Sequence, residues 1–315
     1  MIVDRMNVVY GLEEFSNKTV VALGNFDGVH IGHQKLINEA IADAKDRGIP
    51  SLVMVFDPHP MKVLVPAKAP KLLTTNRTKA AILADMGLDN LILAPFDMEI
   101  AGWSPEHFVK KVLIETLKAR SVYVGYNYTF GSRASGDAEM LVELGDKYGF
   151  SVKVIPPVMY DNKVVSSSLV RKFMEAGDIP MVKILTGRFP ALDGVVIQGE
   201  KRGRSLGYPT ANLTIDSDLI TPGSGVYAAT VRVLNNTYGA VVNIGHKPTF
   251  HDNYPIAIEA HIFDFDDDIY NQDIMVTLIE KLRGEIKFAA LDDLIQQIKT
   301  DSFQARAVLS REARE

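Results

Sequence analysis

A chain of 315 residues is long for one hydrophobic core, so two domains of roughly 150 residues each are expected. Hydrophobic residues make up 47% and charged ones 23%, the balance of a globular protein, and a formal charge of −5 argues against nucleic-acid binding by broad phosphate neutralisation. No apolar run reaches the roughly 18 to 20 residues of a membrane helix, and residues 1–20 carry Asp4, Glu13 and Glu14 where a secretory signal has its apolar core; the absence of cysteine excludes disulfides and thiolate chemistry, and the cytoplasm is the expected location.

The first predicted element is the strand Val20-Val21-Ala22-Leu23, which runs into Gly24-Asn25-Phe26-Asp27-Gly28-Val29-His30-Ile31-Gly32-His33. A strand ending in a Gly-bounded turn that opens a helix suits a phosphate, because first-turn N–H groups and the positive dipole end face the ligand. His30 and His33, three apart, share a helix face, and Gly32 between them leaves room for a close ligand. Three readings stand for this segment. It is a phosphate site, a purely structural turn, or a metal site of His30, His33 and the proline-framed His59 with Asp27 or Asp57 as a carboxylate ligand. Its glycine spacing matches neither G-x-G-x-x-G nor a P-loop.

Leu36, Ile37, Ala40, Ile41 and Ala44 then recur at helical spacing, and Gly48 with Pro50 ends that helix before the strand at 52–56. The pattern repeats. A helix is expected near Asn76–Met86, a strand at 91–93, a helix opened by Ser104-Pro105 with Glu106 in its first turn, and a strand at 122–124. A loop at 127–136, a helix to Tyr148 and a strand at 152–155 follow. Such units build a mostly parallel, doubly wound α/β sheet with ligands beyond the carboxyl ends of its strands. Four loops should therefore converge: 25–33, 57–60, 127–136 and 166–171. In the last, Ser167, Ser168 and Arg171 read either as a second anion site or as a helix cap with a solvated arginine.

The texture changes near Gly187, with 180–186 readable as a last helix or a linker. Short strand-like runs separated by Gly, Pro and Asn follow, including 225–231 and 239–244 with Asn235-Asn236 as a turn. Leu291, Leu294, Ile295 and Ile298 form a helical stripe near the end, so a small antiparallel β-barrel or sandwich closed by a terminal helix is expected. Gly199, Lys201, Arg202, Gly203, Arg204 and Gly207 form either a basic anion loop or a solvated hairpin. Thr210 and Asn212 alternate, which on a strand puts two oxygen-bearing groups on one face, and Glu259 shares a strand face with His261. Asp264 to Asp268 lack the loop length and terminal Glu of an EF-hand and read as a solvated turn.

Taken together, Gly24 to His33, Phe56-Asp57-Pro58-His59-Pro60, Val124 to Gly131, Ser166 to Arg171, Arg202 to Leu213 with its Pro-Thr-Ala-Asn segment, Gly225-Val226-Tyr227-Ala228, Asn243-Ile244-Gly245, Ile258 to His261 and Arg283 to Phe288 resemble, in order, the motifs of the bacterial bifunctional riboflavin kinase/FMN adenylyltransferase family. The resemblance implies an adenylyltransferase domain over residues 1–185, of Rossmann-like nucleotidyltransferase type, and a riboflavin kinase domain over 186–315. It implies ATP and Mg²⁺ as co-substrate and cofactor, riboflavin, FMN and FAD as substrates and products, and neither nucleic acid nor membrane as a partner. His30 and His33 would act in adenylyl transfer. Gly24, Asn25, Phe26, Asp27, Gly32, Asn127, Ser167, Ser168 and Arg171 would bind its ATP, and Asp57, His59, Pro60 and Tyr128 its flavin. In the kinase, Gly199, Lys201, Arg202, Gly203 and Arg204 would surround ATP, Thr210 and Asn212 would hold Mg²⁺, Glu259 would be the general base, and Arg283, Glu285 and Phe288 would face the flavin. Asn127 stands where many relatives carry Asp, and Leu169 replaces a polar or longer side chain.

Overall fold

The computed structural model describes residues 2–3, 6–199, 207–234, 236–245 and 257–314. By backbone contacts the chain divides into two compact units, Met1–Ser166 and Ser167–Glu315.

Seven strands form the sheet of the first unit: β1 (Ile2–Val3), β2 (Met6–Tyr10), β3 (Thr19–Leu23), β4 (Ser51–Asp57), β5 (Asn90–Pro95), β6 (Ala119–Gly125) and, after the short antiparallel pair β7 (Thr129–Phe130) and β8 (Gly136–Asp137), β9 (Ser151–Ile155). Their spatial order is β1-β2-β5-β4-β3-β6-β9, parallel apart from β1 against β2. β3 is central and buried at all five positions, as a parallel strand covered on both faces should be. Val20 and Ala22 enter one core cluster with Leu36, Ile37 and Leu83, while Val21 and Leu23 enter the opposite one with Leu52, Phe108 and Leu113. That split is the period of two of a strand. Because the chain adds β4 and β5 on one side of β3 and then crosses to β6 on the other, the strand order reverses between β3 and β6, and in such sheets that reversal is where ligands bind, beyond the carboxyl ends.

The α-helices of this unit are α1 (Ile31–Arg47), α2 (Pro60–Leu64), α3 (Asn76–Asp85), α4 (Met98–Ala101), α5 (Pro105–Phe108), continued by a π-helix over Val109–Thr116, and α6 (Ala138–Tyr148). α1 ends as its sequence indicates: Gly48 takes φ 65°, its N–H reaches the Ala44 and Lys45 carbonyls, and Lys45 and Arg47 occupy the last turn. A hairpin, β10 (Met159–Tyr160) with β11 (Lys163–Val164), closes the unit.

The second unit opens with α7 (Ser167–Ala176) and α8 (Ile179–Thr186), so 180–186 is helix, started by Asp178 and Pro180 and stopped by Gly187 at φ 72°. The division by contacts thus falls before α7, whereas the expected domain boundary falls at the end of α8. Both helices lie on the barrel that follows: the Gly223 N–H donates to the Met174 carbonyl at 3.1 Å, and Gly177 leaves room for the Tyr227 hydroxyl. The barrel strands are β12 (Ala191–Ile197), β13 (Ala211–Ile215), β14 (Gly225–Val233), β15 (Asn236–Gly245), β16 (Ala257–Ile262) and β17 (Asp273–Arg283), closed in the order β12-β13-β16-β15-β14-β17 with every pair antiparallel. Closure removes exposed edges, which decides for a barrel over a sandwich. Val233 pairs with Asn236, so Asn236 of the expected Asn235-Asn236 turn belongs to β15, and Leu234 takes φ 49°; Asn235 lies outside the described residues.

The terminal helix α9 (Leu291–Glu312) is present, but its anchor differs from the expected stripe. Leu291 is 58% exposed, while Asp301, Ala305 and Val308 are the buried positions, one face at i, i+4 and i+7. They lie about three turns further along because the barrel contact is made there, against Ala228, Phe263 and Ile279.

Two candidate active sites

The turn between β3 and α1 is shaped by two bulky residues in the left-handed region, Phe26 at φ 47° and Val29 at φ 38°, with Gly28 at φ 77° between them. Such strain persists only where the surroundings hold it, and it gathers at functional sites. Phe26 and Asp27, expected at ATP, point inward, at 2% and 4% exposure. The Phe26 ring folds beneath Gly24, where a Cβ would lie 3.1 Å from it, which is why position 24 is glycine. The Asp27 carboxylate accepts from the Leu73 N–H at 2.9 Å and the Thr74 N–H at 3.3 Å, and the Gly28 N–H donates to Thr74 Oγ1 at 3.3 Å. Asp27 is a buckle to the segment before α3.

Lys79 of α3 completes that buckle and was not singled out by sequence. It is 7% exposed and its Nζ donates to the Asn25 carbonyl at 3.0 Å. Burial pushes its ammonium below the usual lysine range, and the Asp27 and Asp57 carboxylates push it back up. A lysine in a helix normally reads as a solvated charge, so the signal available was slight: Thr75 as an N-cap, placing Lys79 one turn inside.

His30 is the N-cap of α1: its Nδ1 accepts the His33 N–H at 3.3 Å. In the neutral ring the proton then lies on Nε2, a donor suited to a phosphate oxygen. Gly32 serves this cap, since a Cβ there would meet the His30 ring at 3.1 Å; the room attributed to a ligand is taken by the histidine. The His30 and His33 rings stack at 3.6 Å and 21°, and Phe26 meets His33 edge-on at 5.2 Å. Stacked rings carry their in-plane lone pairs side by side without convergence, so the pair suits neighbouring oxygens of a polyphosphate better than one metal ion. Among the described residues no group of three or more His, Asp or Glu is placed to hold a metal. No acidic side chain lies in the first turn of α1 to oppose an anion.

The next loop reaches this turn directly. Exposed Asp57 ends β4, and His59, the N-cap of α2, accepts the Met61 N–H on Nδ1 at 3.2 Å while its Nε2 lies 3.1 Å from the Asn25 amide. With Nδ1 accepting, the His59 proton belongs on Nε2 and the Asn25 amide presents its oxygen. Pro60 starts α2. Beyond β6, Asn127 is exposed with its Oδ1 near Gly125, while Tyr128 is half-buried, stacked on Phe130 at 5.7 Å, and burial raises its hydroxyl above the usual tyrosine range. The chain approaching Ser166 returns as well: the Val165 carbonyl would be 3.7 Å from a Cβ on Gly32. Ser167, Ser168 and Arg171 sit in the opening turns of α7, whose first turn has no acidic residue.

On the barrel, strand register assembles the second site. Asn212 of β13 pairs with Glu259 of β16, and Glu259 pairs in turn with Asn243 of β15. Directly opposed residues share a face, so Asn212, Glu259 and Asn243 stand in a row, on the side away from buried Ile258 and Ala260. Thr210 immediately precedes β13 rather than lying in it. His261, two residues from Glu259, places its Nδ1 2.9 Å from the Pro209 carbonyl, which fixes the segment bearing Thr210; since a carbonyl only accepts, that nitrogen carries the proton. Gly199 passes so close to Asn212 that a Cβ would lie 2.1 Å from its Nδ2. Lys201, Arg202, Gly203 and Arg204 lie outside the described residues.

Of the three residues expected at the flavin, Glu285 sets its carboxylate against Gly245 at the end of β15, beside the Glu259 strand. Arg283 has a structural partner instead. Its Nε and Nη2 meet the buried Asp301 carboxylate at 3.0 and 2.8 Å, with the Phe288 ring 6.0 Å from the guanidinium.

Family models match this architecture piecewise, FAD synthetase over residues 12–169 and riboflavin kinase over 186–309. The bifunctional riboflavin kinase/FMN adenylyltransferase of Bacillus subtilis (strain 168) is 35% identical, with 93% of each chain covered. The protein of the same description from Escherichia coli (strain K12) is 33% identical over 96% of this chain and 97% of its own. A solved structure from Streptococcus pneumoniae, described as a macrolide-efflux protein, superposes with a TM-score of 0.86 at 31% identity over 95% of this chain and 98% of that one.

Proposed function

The chain belongs to the bifunctional riboflavin kinase/FMN adenylyltransferase family, and from that premise we propose how its two sites divide the work. The protein phosphorylates riboflavin to FMN with ATP and then joins FMN to AMP from a second ATP, giving FAD and pyrophosphate. We assign the second step to residues 1–185 and the first to 186–315, in the cytoplasm where ATP is plentiful. Among the described residues no helix is long and apolar enough to cross a membrane.

In the adenylyltransferase the FMN phosphate is already a nucleophile, so the protein has to align it with the α-phosphorus of ATP and stabilise departing pyrophosphate. His30 through its Nε2–H, His33 beside it, and the N–H groups opening α1 hold the polyphosphate. Ser167, Ser168 and Arg171 offer hydroxyls and a guanidinium for phosphate, Asn127 contacts the nucleotide, and Asp57, His59, Pro60 and Tyr128 border the flavin. Gly24, Asn25, Phe26, Asp27 and Gly32 contribute the form of the turn.

In the kinase Glu259 takes the proton from the 5′-hydroxyl of riboflavin as that oxygen attacks the γ-phosphorus. The observation that best supports this reading is the register pairing Glu259 with Asn212, a carboxylate beside a hard oxygen donor. Thr210 and Asn212 suit Mg²⁺, which takes few protein ligands and completes its shell with phosphate and water; bound there, it would neutralise phosphate charge. Gly199, Lys201, Arg202, Gly203 and Arg204 bind the ATP, and Glu285 and Phe288 face the flavin, with Arg283 near Phe288.

Incubation with riboflavin and Mg-ATP, followed by chromatography, should yield FMN and then FAD. Glu259→Gln should lower riboflavin phosphorylation by about 10²–10⁴-fold, the usual worth of a general base, with FMN adenylylation intact. His33→Ala should do the reverse. Equal loss of both activities in either folded variant would refute the two-site assignment.

A further inference from the structure

Resting on the adenylyltransferase reading of the first unit, we propose that Lys79 is a positioning residue for FAD formation: its ammonium fixes the Asn25 carbonyl and counters the Asp27 and Asp57 carboxylates, so that the turn at residues 24–28 keeps the shape and charge that admit ATP. Three links tie this turn to residues 73–79: Asp27 to the Leu73 and Thr74 N–H groups, Gly28 to Thr74, and Lys79 to Asn25. The first two hold the middle of the turn, and Lys79 alone of these links reaches the residue whose side chain meets His59.

A lysine is almost never this buried unless paired, and its fold would be served as well or better by an apolar chain of similar length. Its presence therefore points to the charge. Asp27 lies inside the turn and Asp57 at the end of β4. Both act on the Lys79 ammonium. Without it the turn has one positive charge fewer beside these two carboxylates, and its Asn25 corner loses an anchor.

The test is steady-state FAD formation from FMN and Mg-ATP by the full chain, comparing wild type with Lys79→Met, which removes donor and charge, and Lys79→Gln, which keeps a donor without charge. A hydrogen bond to a charged group gives the expected scale: kcat/KM for ATP falls about 10- to 100-fold in Lys79→Met and less in Lys79→Gln. Thermal melting, and riboflavin phosphorylation by the other module, report whether each variant is folded; should Lys79→Met melt below the assay temperature, Lys79→Gln carries the comparison. Unchanged kcat/KM for ATP in Lys79→Met overturns the proposal, as does a loss that only follows a drop in melting temperature and is as large in Lys79→Gln as in Lys79→Met, the mark of general loosening. A wild-type chain that makes no FAD sinks the adenylyltransferase reading itself, whereas wild-type FAD synthesis with an equally active Lys79→Met sinks the role of Lys79 alone.

Discussion

A methyl group at position 199 would occupy the place of the Asn212 amide, 2.1 Å from its Nδ2. The obstacle is the end of a side chain, so the fold can yield at small cost by swinging Asn212 away, and the penalty falls on chemistry. Displacement of a positioning group by about 1 Å is worth roughly 10²-fold in rate. Gly199→Ala should therefore lower kcat/KM for riboflavin phosphorylation by about that factor while FAD formation from FMN is untouched; a fully active kinase would show that the placement of Asn212 does not matter. The same scale shows where residue patterns mislead. Asp27 sits among phosphate-site residues, yet its carboxylate serves N–H groups 46 residues away. Nothing in the local spacing distinguishes an outward carboxylate from one that turns inward to distant backbone, just as nothing marks Lys79 as buried.

At the scale of elements, two of the ion pairs of α9 differ greatly in worth. Asp301, 2% exposed, takes the Arg283 guanidinium in a forked contact and also accepts from Gln297 at 2.8 Å. Arg306 meets Asp264 at 2.9 and 3.0 Å, but in water, and Asp264 is held below the usual carboxylate range by that hydrogen bond. Breaking a buried pair from one side leaves a charge without compensation, so Asp301→Ala should destabilise the second unit by about 3–5 kcal/mol. Arg306→Ala should cost about 1 kcal/mol or less, and that small loss should shrink with added salt. Urea unfolding of the two variants decides it: similar midpoints would mean that the buried pair does not anchor the helix. The helix was legible from its apolar stripe, but its anchor was not, because burial at 301, 305 and 308 depends on where the barrel surface meets it.

For the whole molecule, two chemistries share one chain and are linked by FMN, the product of one and the substrate of the other. A mixture of the Glu259→Gln and His33→Ala chains should therefore restore FAD synthesis from riboflavin, each supplying the step the other lacks. Failure of the mixture, with each variant active in its own step, would require FMN to be handed on within one chain. Sequence by itself determined the division into an α/β part and a β part, the order of most strands and helices, and through its motifs the family. These follow from hydrophobic period, glycine position and residue order, which are local properties of a chain. The tertiary structure alone decided that the barrel closes, that β13 and β16 align Asn212 with Glu259, that His30 caps its own helix against a stacked His33, and that Asp27 and Lys79 face inward. Each of those depends on contacts between residues distant in sequence, where register and burial are set by packing rather than by any pattern along the chain.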